Sequence, residues 1–194
     1  MASNSTQPSD ECKRIEALID THPLIISLRA NPSLRESRFF AGAPDAVRGI
    51  FTYRDHFGPG KITVDPVVFL DESCKSLIQI FHLGPKLAGW PGRLHGGLLA
   101  TMIDESFGLC SPFEMPKRIP ITVRLEINYQ NPSPPNELYI LEAKLVRLED
   151  STRTGWVEGT LRVLNEKTSL RSENSTHEIL VSARAEYKYL SSHL

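Results

Sequence analysis

Two kinds of periodicity divide this chain near residue 60. Before it, Ile15, Leu18 and Ile19 recur at helical spacing. Leu24, Ile25 and Leu28 continue an apolar face that breaks at His22-Pro23 and closes at Asn31-Pro32. Asp10 stands where a helix cap is expected. Residues 1–9 are polar and predict a disordered tail. Ser33 to Gly60 is irregular, with Gly42, Pro44, Gly58 and Pro59 as breakers.

After residue 61 the period changes. Lys61–Leu70 and Leu77–Leu83 read as strands around a turn at Asp71-Glu72-Ser73. A helix follows from about Gly96 to Cys110, ended by Pro112 and Pro116. Ile119, Ile121, Val123, Leu125, Ile127 and Tyr129 then alternate with Pro120, Thr122, Arg124, Glu126 and Asn128, the cleanest period of two in the sequence. Further strands are expected over 138–148, 156–164 and 179–190, with 165–178 as a long exposed loop. The order strand, strand, helix, then four strands in a meander predicts an α+β fold. Its sheet should be antiparallel, because most connections are short. We divide the chain into an N-terminal extension, 1–60, and a main domain, 61–194.

Composition removes several classes of function. With 194 residues, 40% hydrophobic and 23% charged, the chain can bury one core. A net charge of −1 offers no basic field for nucleic acid. No apolar run approaches the roughly 18 residues of a membrane span. Residues 1–11 show neither a hydrophobic signal stretch nor the arginines of a transit peptide, so a cytoplasmic protein is expected. The three cysteines, Cys12, Cys74 and Cys110, and the six histidines fall in no metal-ligand spacing. No metal or redox cofactor is expected.

Chemistry concentrates in Gly92-Arg93-Leu94-His95-Gly96-Gly97-Leu98-Leu99-Ala100-Thr101-Met102-Ile103-Asp104-Glu105. Two glycines open the helix, and unbonded N–H groups at a helix start attract an oxyanion. Asp104 sits two turns on, among Met102, Ile103 and Phe107, where a carboxylate is costly unless used. Gly97, Ala100, Thr101, Asp104 and Gly108 share one small-residue face, and Leu99, Met102, Ile103, Ser106 and Cys110 share one that can pack on a sheet. His95 has two readings, a titrating catalytic group or an anchor for the helix start, and the second is the commoner. Glu105 reads as a surface or dimer-rim residue. A Cys110–histidine dyad has no local motif behind it.

This segment, with Ile121-Thr122-Val123-Arg124-Leu125-Glu126-Ile127-Asn128-Tyr129, resembles the hotdog-fold acyl-CoA thioesterases over roughly residues 60–190. The branch is the phenylacetyl-CoA thioesterase-like one, which also holds a mammalian mitochondrial long-chain type. The resemblance implies a long central helix wrapped by a curved antiparallel sheet of five to six strands, here with an N-terminal helical extension. It implies that Gly97, with Gly96, polarises a thioester carbonyl, that Asp104 activates water or attacks directly, and that Thr122 orients the water. It implies at least a homodimer, with the glycine loop of one protomer facing Asp104 and Thr122 of the other. Relatives carry an asparagine six residues before the histidine, where this chain has Gly89. Thr122 falls on the polar side of its strand and reaches the site only through a bulge or a partner.

The expected substrate is an acyl thioester of coenzyme A or of an acyl carrier protein. Trp90, Arg93, Glu105 and Asn128 are candidates for substrate contact, and Arg93, Lys117, Arg118, Arg147 and Arg153 for the coenzyme phosphates. The extension is expected to cover the acyl pocket. Two other readings fit the same residues: a dehydratase, hydratase or tailoring enzyme on an acyl or polyketide intermediate, with Asp104 as the base, or a non-catalytic acyl-ligand binder.

Overall fold

A computed structural model describes residues 9–39, 55–71, 73, 75–110, 118–165 and 178–191. The expected tail over 1–8, the stretch 40–54, Pro112 and Pro116, and most of the expected 165–178 loop lie outside the described residues. Two N-terminal helices form as the periodicity predicts: α1 (Asp10–Thr21) and α2 (Pro23–Arg29). The cap of α1 is Ser9, not Asp10, its hydroxyl accepting from Cys12 N at 3.2 Å. At the next break Pro23 takes the first helical position, where its missing N–H costs nothing. His22 caps that helix, with Nδ1 accepting from Leu24 N.

The strands are β1 (Arg35–Arg38), β2 (Val67–Asp71), β3 (Ser76–Leu83), β4 (Ala88–Trp90), β5 (Arg93–Leu94), β6 (Arg118–Tyr129), β7 (Glu137–Glu149), β8 (Thr154–Val163) and β9 (Val181–Ser191). The long helix α3 runs from Gly96 to Cys110 as expected. Seven strands make one antiparallel sheet in the order β1-β2-β3-β7-β8-β9-β6, and β4-β5 form a separate hairpin. β2 starts later than the expected Lys61, because Pro66 cannot donate to a ladder. The expected meander is also corrected. β6 pairs with β9 at the far edge, and the proline-rich stretch 131–136 leads from it to β7.

Each face of the sheet carries its own core. On one, α3 buries Leu98, Leu99, Met102, Ile103 and Phe107 against Leu77, Phe81, Tyr139, Leu141 and Val157. On the other, Ile15, Ile19, Leu24, Ile25 and Leu28 of α1 and α2 pack on Val67, Phe69, Ile80, Leu138 and Ile140. Neighbouring residues of one strand, such as Ile80 and Phe81, join different cores, as a two-sided strand requires. Arg38 reinforces the second layer by pairing with Glu16 of α1 at 2.7 Å and donating to Asp65 O. The two helices of the extension therefore lie on the face opposite α3, whereas its Phe39 and Phe57 pack against the core on the α3 side. Among the described residues, no helix is long and apolar enough to cross a membrane.

Candidate active site

The start of α3 is built around His95. Its N–H donates to Leu87 O at 3.0 Å, and its carbonyl accepts from both Leu98 N and Leu99 N. Gly96 and Gly97 are thus the first-turn amides not spent on that carbonyl. The imidazole lies between two glycines. A Cβ on Gly89 would stand 2.8 Å from its Cδ2, and one on Gly97 would stand 3.0 Å from its Cε1. No side chain fits at 89 while His95 holds this place, so the asparagine of the resemblance has no counterpart here. His95, Gly97 and Thr101 open on a cleft of about 490 Å³ that His56, Lys86 and Leu87 complete.

Seven residues along, Asp104 is half-buried and held by two hydroxyls. Thr122 Oγ1 donates to Asp104 Oδ1 at 2.9 Å. Tyr187 OH lies 2.9 Å from the Asp104 main-chain carbonyl and 3.1 Å from the same Oδ1. Thr122 and Tyr187 are cross-strand partners in β6 and β9. Burial, then the charge of Asp104 beside it, pushes the Tyr187 hydroxyl well above its ordinary range, so it stays protonated as a donor.

Thr122 reaches the helix through an irregular strand. The β6–β9 register shifts between Thr122 and Arg124, which leaves Val123 unpaired. Thr122 on the Asp104 carboxylate and Leu125 on the core are three residues apart yet face the same side, which strict alternation forbids and a bulge permits. At the other end of β6, Tyr129 OH donates to Gly96 O at 2.7 Å, and burial raises that hydroxyl's pKa too. β6 thus runs antiparallel to α3 and ties both the helix start and the turn that carries Asp104. Tyr129 and Tyr187 have no role in the sequence reading. The inward alternation of Ala183, Ala185, Tyr187 and Tyr189 was the available signal, since a buried tyrosine hydroxyl needs a partner.

The remaining candidates scatter. Trp90, 74% exposed, and Arg93 are register partners in the β4–β5 hairpin beside the helix start. Glu105 is half-buried on α3. Asn128 is not brought to Asp104. It points to the far side of the sheet, into a shallow groove with Glu126, Glu142 and Lys144. Arg147 stacks 4.4 Å over the Trp156 ring and pairs with Glu149. Lys117 and the Arg118 side chain lie outside the described residues. Cys110 is buried and its thiol is pushed up to about 12, which leaves no thiolate for a dyad. Among the described residues, no group of three or more His, Cys, Asp and Glu could hold a metal ion.

Comparison with known proteins adds four findings. Residues 91–163 match the thioesterase superfamily. The chain is 39% identical over 111 residues to an uncharacterised mitochondrial protein of Candida albicans, covering 56% of this chain and 48% of that one. It is 34% identical over 102 residues to the bovine acyl-coenzyme A thioesterase THEM4, covering 53% and 40%. A solved thioesterase-superfamily protein superposes with a TM-score of 0.52 at 22% identity, over 68% of this chain and 61% of its own, and shows the shared fold. The chain spans about half the length of the relatives it matches.

These relatives also correct the cytoplasmic expectation. Besides the Candida protein, a Saccharomyces cerevisiae relative, 31% identical over 66% of this chain and 49% of its own length, is named mitochondrial membrane protein FMP10. Their names point to mitochondria. The expectation rested on the composition of residues 1–11, and where this chain begins carries no information on the compartment.

Proposed function

We propose that this chain, which matches the thioesterase superfamily over residues 91–163 and shares its fold, hydrolyses an acyl thioester of coenzyme A, with Asp104 as the reacting carboxylate. The observation that carries this reading is Asp104 itself, a half-buried carboxylate on an apolar helix, oriented by two hydroxyls on one of its oxygens. The bovine relative's name supports acyl-CoA as the thioester.

The carbonyl oxygen of the thioester accepts from the amides at the start of α3, Gly97 first and Gly96 beside it. Asp104 then drives attack on the carbonyl carbon, either by taking a proton from water or by bonding to it directly. Negative charge gathers on the oxygen at the helix start, where backbone N–H groups and the helix dipole favour it. Collapse of the tetrahedral intermediate breaks the carbon–sulfur bond, and the thiolate leaves and takes up a proton. With water as the nucleophile the acyl group leaves as the carboxylic acid; with Asp104 as the nucleophile it is first held as a mixed anhydride, which a water must hydrolyse to the acid, and free coenzyme A is the other product. A dehydratase or a passive binder would use the same groups without releasing thiol.

The two halves of this site cannot serve one carbonyl within one chain. Seven residues of helix separate Gly97 from Asp104, a distance of about 10 Å along the axis, while reacting atoms must approach to about 3–3.5 Å. A homodimer resolves this, with the helix start of one protomer facing Asp104 and Thr122 of its partner. β6 is the surface suited to it. It lies at the sheet edge and exposes Ile121 and Val123, at 45% and 54%, beside Thr122. The division of labour follows, with 61–194 as the catalytic domain and 1–60 as an extension whose helices lie behind it and whose His56 borders the cleft at the helix start.

Thiol release from short, long and aromatic acyl-CoAs tests the reading, comparing wild type with Asp104→Asn at matched folding. A loss of a hundredfold or more on any substrate turned over is the expected result. Full turnover by the variant removes Asp104 from the chemistry, and no turnover by wild type transfers the site to the dehydratase or binder readings.

A further inference from the structure

Asp104 is gripped unevenly. Both hydroxyls that reach it, from Thr122 and Tyr187, address Oδ1, and among the described residues Oδ2 accepts no hydrogen bond. Tyr187 also does something that Thr122 does not. Its OH sits within 2.9 Å of the Asp104 main-chain carbonyl and 3.1 Å of the carboxylate, and so bridges the backbone and the side chain of one residue. A donor shared in that way restrains the torsions that aim the carboxylate. The tyrosine ring is itself fixed, with Tyr187 only 1% exposed on the inner face of β9. The bond spans 83 residues of sequence, from the last strand of the sheet to its central helix.

We propose that Tyr187 is a positioning residue for thioester hydrolysis, clamping Oδ1 of Asp104 to the helix backbone so that Oδ2 is the oxygen presented to water or to the carbonyl carbon. This rests on the thioesterase reading above. Tyr187 itself touches neither substrate nor reacting atoms. Thr122 holds the same oxygen from the bulged strand, and because the two hydroxyls belong to register partners, the bulge and the clamp work as one fixture. The division between the oxygens is chemically useful. An oxygen already accepting two hydrogen bonds is a weaker base and nucleophile than its partner, so the clamp selects the reacting atom as well as its direction.

Tyr187→Phe tests this, because it removes one oxygen and keeps the packed ring. We expect kcat for acyl-CoA hydrolysis to fall about tenfold, since a small misalignment of a reacting group carries a cost of that order. KM and the Kd of a non-hydrolysable thioether analogue should stay unchanged, and the melting temperature should hold within a few degrees. A merely structural tyrosine would not lower kcat while sparing KM, analogue binding and the melting temperature. Unchanged kcat, with Asp104→Asn inactive, would overturn the assignment and leave the thioesterase reading standing. So would a fall in activity that tracks a collapse in melting temperature and lost analogue binding. If Asp104→Asn itself retains full activity, the thioesterase reading fails first, and the clamp has nothing to position.

Discussion

The two faces of the sheet carry helices of different purpose. Behind it, α1 and α2 bury an almost wholly aliphatic surface, and the polar groups there are largely paired, as Arg38 is with Glu16 and His82 Nδ1 with Thr63 Oγ1 at 2.7 Å. In front, α3 packs as well, yet keeps Asp104 half-open and its first amides free of the His95 carbonyl. A face that only stabilises hides its polar groups or pairs them, whereas a face that reacts leaves chosen ones accessible at a cost in stability. The difference teaches where substitutions should separate folding from activity.

The largest separation should come from the back. Ile25→Ala removes buried volume among α1, α2 and the sheet, and should lower the free energy of unfolding by about 2–5 kcal/mol. Chemical denaturation measures that loss, while thiol release per folded molecule should be unchanged. A loss of turnover at full folding would tie the extension to the chemistry.

At the front the effect should invert. Gly97→Pro deletes one amide donor at a first-turn position that tolerates proline. Thiol release should drop by about two to three orders of magnitude, far more than the modest loss of stability expected where the added Cβ meets His95 Cε1 at 3.0 Å. Equal loss in both measurements would make Gly97 structural. A smaller effect is expected at Gly89→Ala, whose added methyl meets the His95 ring at 2.8 Å. Overpacking of this kind costs about 1–3 kcal/mol. Because His95 carries the helix start, the variant should lose stability and activity in comparable measure, unlike either of the first two.

How much of this was legible in the sequence follows the same division. The Gly96-Gly97 start and Asp104 are local to one helix, and the pattern located them together with both ends of α3. Thr122 entered through family resemblance alone. Its strand alternates so cleanly that the period placed it on the polar side, and only the shift at Val123 returns it to Asp104. Tyr187 stayed invisible because the contact is non-local and alternation says inward without saying toward what. For α1 and α2 the apolar face was readable, but not which side of the sheet it covers. Nor could a period of two reveal that β6 pairs with β9 instead of β7.

The smallest effect expected is a pH dependence from the back face. Burial holds His82 below its ordinary range; Glu11 and Asn136 pull it up, and Arg14 pushes it down. Its unfolded value is about 6.5. Below that pH the unfolded chain binds more protons than the folded one, so stability should be full above about 6.5 and decline as pH falls. Denaturation midpoints at pH 7.5 and 5.5 read this, and His82→Gln should flatten it. An unchanged slope in that variant would assign the dependence to other groups.

In the proposed mechanism the helix start and Asp104 act together only across two protomers. Mixed dimers test it most directly, formed by refolding a Gly97→Pro chain together with an Asp104→Asn chain, each inactive alone. In a hybrid dimer one site then carries both defects and the other none. Thiol release from an equal mixture should therefore recover to about a quarter of the wild-type rate, as random pairing in a two-fold dimer dictates. No recovery, with hybrid dimers shown to be present, would place the whole site within one chain and contradict the account.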